Sequence, residues 1–150
     1  MFRLLEETGY PGMKVLQFAF DEGPDGQGMY LPHNYTKNCV VYTGTHDNET
    51  TLGWIRGRSK QQNAFLMDYL NAKDEKELLW GMIRAAVASV ADTAIVPMQD
   101  YLELGNEARI NMPSTLGDNW KWRMDPGAAT DELAKKIYHM ARTYGRVQEH

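Results

Sequence analysis

Cys39-Val40-Val41-Tyr42-Thr43 runs without a break into Gly44-Thr45-His46-Asp47-Asn48-Glu49-Thr50. The first five residues are almost continuously apolar, β-branched or aromatic, as in a strand covered on both faces of a parallel sheet. The character of the chain changes at once after them. Thr43, Gly44 and Thr45 are small enough for a sharp turn and bring His46 and Asp47 out at the C-terminal end of the strand, where α/β folds place their chemistry. Asp47 is suited to accept paired hydrogen bonds from vicinal hydroxyls, with His46 beside it as donor or acceptor. An equally weighted reading makes the segment a plain turn, in which Asp47 caps the following helix and His46 is a satisfied polar residue.

Two further apolar runs flank this one. Lys14-Val15-Leu16-Gln17-Phe18-Ala19-Phe20 lies between Pro11-Gly12 and Asp21-Glu22-Gly23-Pro24, and Thr93-Ala94-Ile95-Val96-Pro97-Met98 is the third. Both read as strands buried on both faces like the first, the last ending near Pro97, which has no N–H for a ladder. Between the second and third runs the period changes to helical. Ser59-Lys60-Gln61-Gln62 is a capping-box pattern ahead of Phe65, Leu66, Tyr69 and Leu70. Asp74 begins a second cap, with Glu77 in its fourth place and a broad stripe of Leu78, Leu79, Met82, Ile83, Ala86, Val87 and Val90 behind it. Thr130 caps a last helix carrying Leu133, Ile137, Met140 and Tyr144, with Gly145 as its stop. Strands alternating with helices imply an α/β fold with a parallel sheet. Two long connections, 21–38 and 100–129, have turn chemistry and little periodicity, and connections of that length are usually functional. No repeat or linker divides residues 1–150, which read as a single unit. Three strands form a thin sheet with two open edges, so the unit reads as a piece of something larger.

Composition narrows the function classes. The 150 residues carry 16 Lys and Arg against 20 Asp and Glu, a net charge of −4, which disfavours nucleic acid and anionic lipid as partners. No run approaches the length of a membrane span, no segment has the apolar core of a signal peptide, and a cytoplasmic location is the expectation. The one cysteine, Cys39, excludes an internal disulfide and reads as a small buried hydrophobe. A metal site is disfavoured, since His46 and Asp47 are adjacent and a structural zinc site wants four spaced ligands. Neither a Gly-x-Ser-x-Gly elbow nor a phosphate loop is present. Eight Tyr, four Trp and four Phe suit a core and suit sugar stacking equally well.

The second dense stretch is Gly105-Asn106-Glu107-Ala108-Arg109-Ile110-Asn111-Met112-Pro113-Ser114-Thr115-Leu116-Gly117-Asp118-Asn119-Trp120-Lys121-Trp122-Arg123. On a structural reading, Trp120 and Trp122 pin a long loop while Arg109 and Arg123 satisfy loop carbonyls. On a functional reading it is the polar rim of a sugar-sized cleft. Together with 11–20, Leu31-Pro32-His33-Asn34-Tyr35 and 42–48, this stretch resembles the 4-alpha-glucanotransferases, the amylomaltases or disproportionating enzymes. Four motifs in the family's order and spacing cover the chain from about Leu4 to Arg146.

The resemblance implies a (β/α)8 barrel, of which this chain would supply about strands six to eight and the C-terminal part. It implies a retaining transfer of α-1,4-glucan segments to another glucan or to glucose, without metal or other cofactor. Asp47 matches the aspartate that binds the hydroxyls of the transferred sugar and stabilises its oxocarbenium-like transition state, and His46 matches a neighbour contacting the same sugar. Asn111 and Pro113 match a segment closing one side of the donor cleft. Glu49 stands where many relatives have Asp, and Ser114 where Gly is expected. A retaining mechanism also needs a nucleophile and an acid/base carboxylate about 5–5.5 Å apart, which in the family lie upstream. Residues 1–9 then read as the end of the helix after the acid/base strand. The expected partners are α-1,4-glucan oligosaccharides and either a second copy of the chain or the missing N-terminal part of the enzyme. The competing reading is a non-catalytic carbohydrate-binding or interaction fragment.

Overall fold

The computed structural model describes residue 5, residues 7–21 and residues 26–147. Strand β1 (Gly12–Val15) pairs in parallel with β2 (Cys39–Tyr42), and β2 pairs in parallel with β3 (Thr93–Ile95), giving the order β1-β2-β3. The register sets Val15 beside Tyr42 and Tyr42 beside Ile95, so all three strands end at one level. The central strand is the best covered, with Cys39 and Val41 buried. Cys39 is free and packs as a core residue.

The outer strands are shorter than their apolar runs suggest. β1 stops at Val15, and Leu16–Phe20 winds into a 3-10 turn. Leu16, Ala19 and Phe20 are buried while Phe18 is exposed, which is a one-sided helical spacing and not strand alternation. β3 stops at Ile95, two residues before Pro97, which precedes a short helix at Met98–Tyr101. Nor is β3 covered on both faces: Thr93 and Ile95, two apart and so on one face, are exposed, while Ala94 between them is half-buried.

Local chemistry accounts for four of the five α-helices whose bounds lie among the described residues. Helix α1 (Thr51–Gly57) begins at Thr50, whose hydroxyl accepts from Gly53 N at 3.1 Å. Helix α2 (Lys60–Leu70) carries the capping box of Ser59 and Gln62, both halves formed. Helix α3 (Glu75–Ala88) is capped by Asp74 and buries Leu78, Leu79, Met82, Ile83, Ala86 and Val87. Val90 drops out of the expected stripe, exposed two residues past the helix end. Helix α4 is the turn at Met98–Tyr101, and α5 (Asp131–Thr143) is capped by Thr130. Gly145 lies beyond it in the left-handed region at φ 67° and ends α5 without a Cβ penalty.

Helix α3 is the hub, touching α1, α2, α4, α5 and β3. Its apolar stripe meets Leu16, Phe20, Val41, Leu52, Ile55 and Leu66 in one hydrophobic cluster. The connection before β2 is fastened to that cluster by Leu31 and Tyr35, the Tyr35 hydroxyl donating to Tyr30 O at 2.7 Å. At the start of the chain residues 5, 7 and 8 are helical and Gly9 N donates to Leu5 O, in line with a helix end; the rest of 1–9 lies outside the described residues, as does 22–25 of the first long connection. Among the described residues no helix is long and apolar enough to cross a membrane.

Candidate functional site

The loop after β2 is built from its own side chains. Asn48 Oδ1 accepts from Thr45 N at 2.9 Å and from the Thr45 hydroxyl at 2.7 Å, while that hydroxyl accepts from Asp47 N at 3.3 Å. This closes a tight turn with His46 and Asp47 at its exposed tip. Thr50 caps α1, so the reading of Asp47 as the helix cap does not hold. Asp47 instead meets the other motif: Asn111 Nδ2 donates to its Oδ1 at 2.6 Å, and His46 Nε2 stands 3.3 Å from the same oxygen. Both side chains are about half exposed, at 55% for His46 and 50% for Asp47, so a ligand reaches them from solvent. Among the described residues Oδ2 of Asp47 carries no hydrogen bond, which leaves an acceptor for an incoming hydroxyl.

Arg109 ties the two backbones. Its Nη2 donates to Asp47 O at 2.7 Å and its Nε to Asn111 O at 2.9 Å, with Glu49 Oε1 3.9 Å from Nη1. The loop-carbonyl role expected of the arginines holds, since Arg123 likewise donates to the carbonyls of Trp120 and Trp122. Trp120 does not pin its loop by burial. It is 56% exposed, its backbone is left-handed at φ 65°, and its ring lies 5.2 Å from that of His46. Non-glycine residues in that region store strain and cluster at ligand sites. Pro113 sits on the exposed turn two residues beyond Asn111. The structure thus brings His46, Asp47 and Asn111 together and leaves Pro113 at the rim. A cavity of about 400 Å³ opens beside them, lined by Glu49, Arg109, Asn111, Met112 and Asn119. A larger groove of about 830 Å³ lies on the helix side, between α2, α3 and Tyr144, and contains none of the expected site residues.

Beneath the tip lie three buried polar side chains that the sequence reading passed over. Asp100, 1% exposed, accepts from Thr43 and Thr51 hydroxyls at 2.6 and 2.7 Å and from Thr51 N at 2.9 Å. Burial pushes its carboxyl above the usual range, against the opposing pull of those bonds. Gln99 Nε2 donates to Ala108 O at 3.2 Å, and Gln17 Nε2 to Glu49 O at 3.0 Å. One signal was available: Gln17 is a lone amide inside an apolar run, and such a residue is buried only with partners. Gly44 also has a different role from the one expected. A Cβ there would stand 2.6 Å from Gln17 Nε2, so the glycine is needed for close approach.

Similarity to known proteins is specific and covers the same residues. A family model described as 4-alpha-glucanotransferase matches residues 1–130. The chain is 53% identical over 144 residues to the 4-alpha-glucanotransferase of Clostridium butyricum, covering 95% of the chain and 29% of that protein. It is 44% identical over 151 residues to the enzyme of the same name from Thermus thermophilus, covering 96% and 30%. The amylomaltase of Streptococcus agalactiae, solved in complex with acarbose, superposes with a TM-score of 0.91 at 36% identity, over 97% of this chain and 29% of that one. The chain therefore spans less than a third of the length of these relatives.

Proposed function

The chain belongs to the 4-alpha-glucanotransferase family, and from that premise we propose that it forms one side of the active site of an enzyme moving α-1,4-glucan segments between maltooligosaccharides or to glucose. Its three strands serve as the sixth to eighth of a (β/α)8 barrel, whose C-terminal face carries the chemistry. The observation that carries this reading is the 2.6 Å bond from Asn111 to Asp47, which unites two motifs 64 residues apart at the strand ends.

In a retaining transfer the sugar passes through an oxocarbenium-like state. Asp47, half exposed, binds hydroxyls of the transferred sugar through its oxygens and sets its carboxylate beside the developing cation. Asn111 fixes the carboxylate in advance, so little reorganisation is needed as charge develops. His46 contacts the same sugar, and the turn through Asn111 and Pro113 closes the donor side. The nucleophile and the acid/base carboxylate come from the fourth and fifth strands of the barrel.

The test joins this chain to the rest of a barrel, in place of the matching segment of the Clostridium butyricum enzyme. That chimera should disproportionate maltotriose, and Asp47→Asn should lower its turnover by about three orders of magnitude or more with the fold intact. A loss of less than about tenfold would remove Asp47 from the catalytic set. The chain alone should release no glucose from maltotriose above a buffer control.

The same reading supplies a partner. Among the described residues β1 and β3 each have one neighbour in the sheet, and Met13 on β1 and Ile95 on β3 are exposed. Open apolar edges are templates for pairing, and the complementary part of the barrel or a second copy of the chain would fill them. Sedimentation of the isolated chain should show association, and a soluble monomer at high micromolar concentration would count against it.

A further inference from the structure

Gln99 and Asp100 are neighbours in α4, directly after β3, and are 4% and 1% exposed. Each holds one of the two motifs that meet at Asp47. Asp100 binds Thr43 and Thr51, the residues that bracket the loop carrying His46 and Asp47. Gln99 binds the carbonyl of Ala108, immediately before Arg109 and Asn111. We infer that this adjacent pair positions the site, setting the separation of Asp47 and Asn111 by clamping one motif with each side chain to the end of β3.

Three features support the assignment. A carboxyl this buried is rare and costly unless its acceptors are filled, and here one oxygen takes the Thr51 amide while the other takes two hydroxyls. An apolar residue would fill the volume with less desolvation, whereas the polar pair fixes direction and distance. The frame is also stiff: Pro97 holds its own φ at −57° between the strand and α4. From that frame the two clamps reach opposite sides of a contact only 2.6 Å long, and a shift of about an ångström on either side would break it. The service of this clamp to sugar binding rests on the proposed function; the clamp itself does not.

The readout is the side-chain amide of Asn111, followed by 1H–15N NMR on the full chain and identified by its change in Asp47→Ala. A bond to a carboxylate moves its proton downfield and slows its exchange. Gln99→Met keeps the length and removes the donor, and Asp100→Asn keeps the shape and removes the charge. In both, the Asn111 signal should return to the free-amide position, with exchange faster by about tenfold, while backbone protection in β2 and α3 stays within about twofold. A signal unmoved in both variants overturns the inference, as does loss only in step with protection throughout the sheet, the mark of a merely structural role. Should Asp100→Asn fail to fold, Gln99→Met decides alone. Titration with maltotriose is the separate arm. A chain whose Asn111 signal is present and is lost in the variants supports the clamp whether or not it responds to the sugar, and a chimera inactive on maltotriose retires the glucan reading alone.

Discussion

The loop 43–51 and the stretch 111–123 meet at one hydrogen bond, yet opposite means hold them in place. In the first, Thr43, Gly44, Thr50 and Thr51 are buried, with Asp100 and Gln17 bonded beneath. In the second, residues 112–118 are all exposed and their bonds are local. Asn119 Oδ1 accepts from Met112 N, Asn119 Nδ2 donates to Thr115 O, and Lys121 pairs with Asp118 in solvent. Three residues of the second stretch, Ser114, Gly117 and Trp120, have positive φ. Asp47 therefore inherits its position from the core, while Asn111 depends on Arg109 and Gln99 to hold an otherwise exposed loop against it. Under the proposed function, close placement of a charge next to a reacting sugar would want the first kind of support, and admitting a long substrate the second.

The largest effect should separate two aspartates. Asp100→Ala leaves the Thr51 amide and two hydroxyls buried without an acceptor, at about 1–3 kcal/mol for each such group. We expect a total loss of about 3–5 kcal/mol, a large share of the ~5–15 kcal/mol that holds a typical domain. Asp118→Ala breaks only the exposed pair with Lys121 and should change stability by less than about 0.5 kcal/mol. Urea unfolding of the two variants measures both, and equal losses would erase the contrast. The pH dependence of Asp100 has a definite sign. Burial raises its carboxyl, so in the interval above about pH 3.9, where a free aspartate ionises, the unfolded chain holds fewer protons than the folded one. Its contribution to stability is full below that pH, falls as pH rises through the raised folded value, and is level beyond it. Asp100→Asn should lack that descending limb.

The difference between the two regions also explains what could be read from the sequence. The buried run of β2, the caps at Ser59, Asp74 and Thr130, and the α3 stripe are local patterns, and the structure has them. The second half of the first run misled because Leu16, Ala19 and Phe20 satisfy a helical spacing inside a stretch apolar enough for a strand. The association of Asp47 with Asn111 was legible only through the family resemblance, since no period links residues so far apart. Asp100 was not legible at all. Its partners are two hydroxyls and an amide, 49 and 57 residues away, and threonine hydroxyls announce nothing about whom they will meet.

A smaller effect probes how tightly the first region is packed. Gly44→Ala would set a methyl 2.6 Å from Gln17 Nε2 and 3.3 Å from Asn48 Cβ. Gln17 is 2% exposed and its amide is bonded to Glu49 O. The added carbon must displace its bond to Glu49 O, and overpacking of this kind costs about 1–3 kcal/mol. A thermal scan should show the loss. An unchanged midpoint would mean that the loop after β2 is as yielding as the stretch it faces.

The smallest effect lies on that yielding side and runs the other way. Ser114 is exposed and holds φ 63°, a region that costs an L-residue roughly 1–2 kcal/mol and where the family resemblance leads one to expect glycine. Ser114→Gly removes that cost but gives the unfolded chain more freedom, which takes back about 0.4–1 kcal/mol. The net gain should be no more than about 1 kcal/mol, or about 2–4 °C in Tm for a chain of this size. Trp120 has nearly the same φ, at 65°, yet the parallel change is not equivalent, because Trp120→Gly also removes the ring that lies tilted beside that of His46. If Ser114→Gly raises the midpoint while Trp120→Gly weakens maltotriose binding, the strain at 114 belongs to the loop and the strain at 120 to the site. A fall in the midpoint for Ser114→Gly would show that the serine side chain supports the turn, and the second region would then be more firmly built than its exposure suggests.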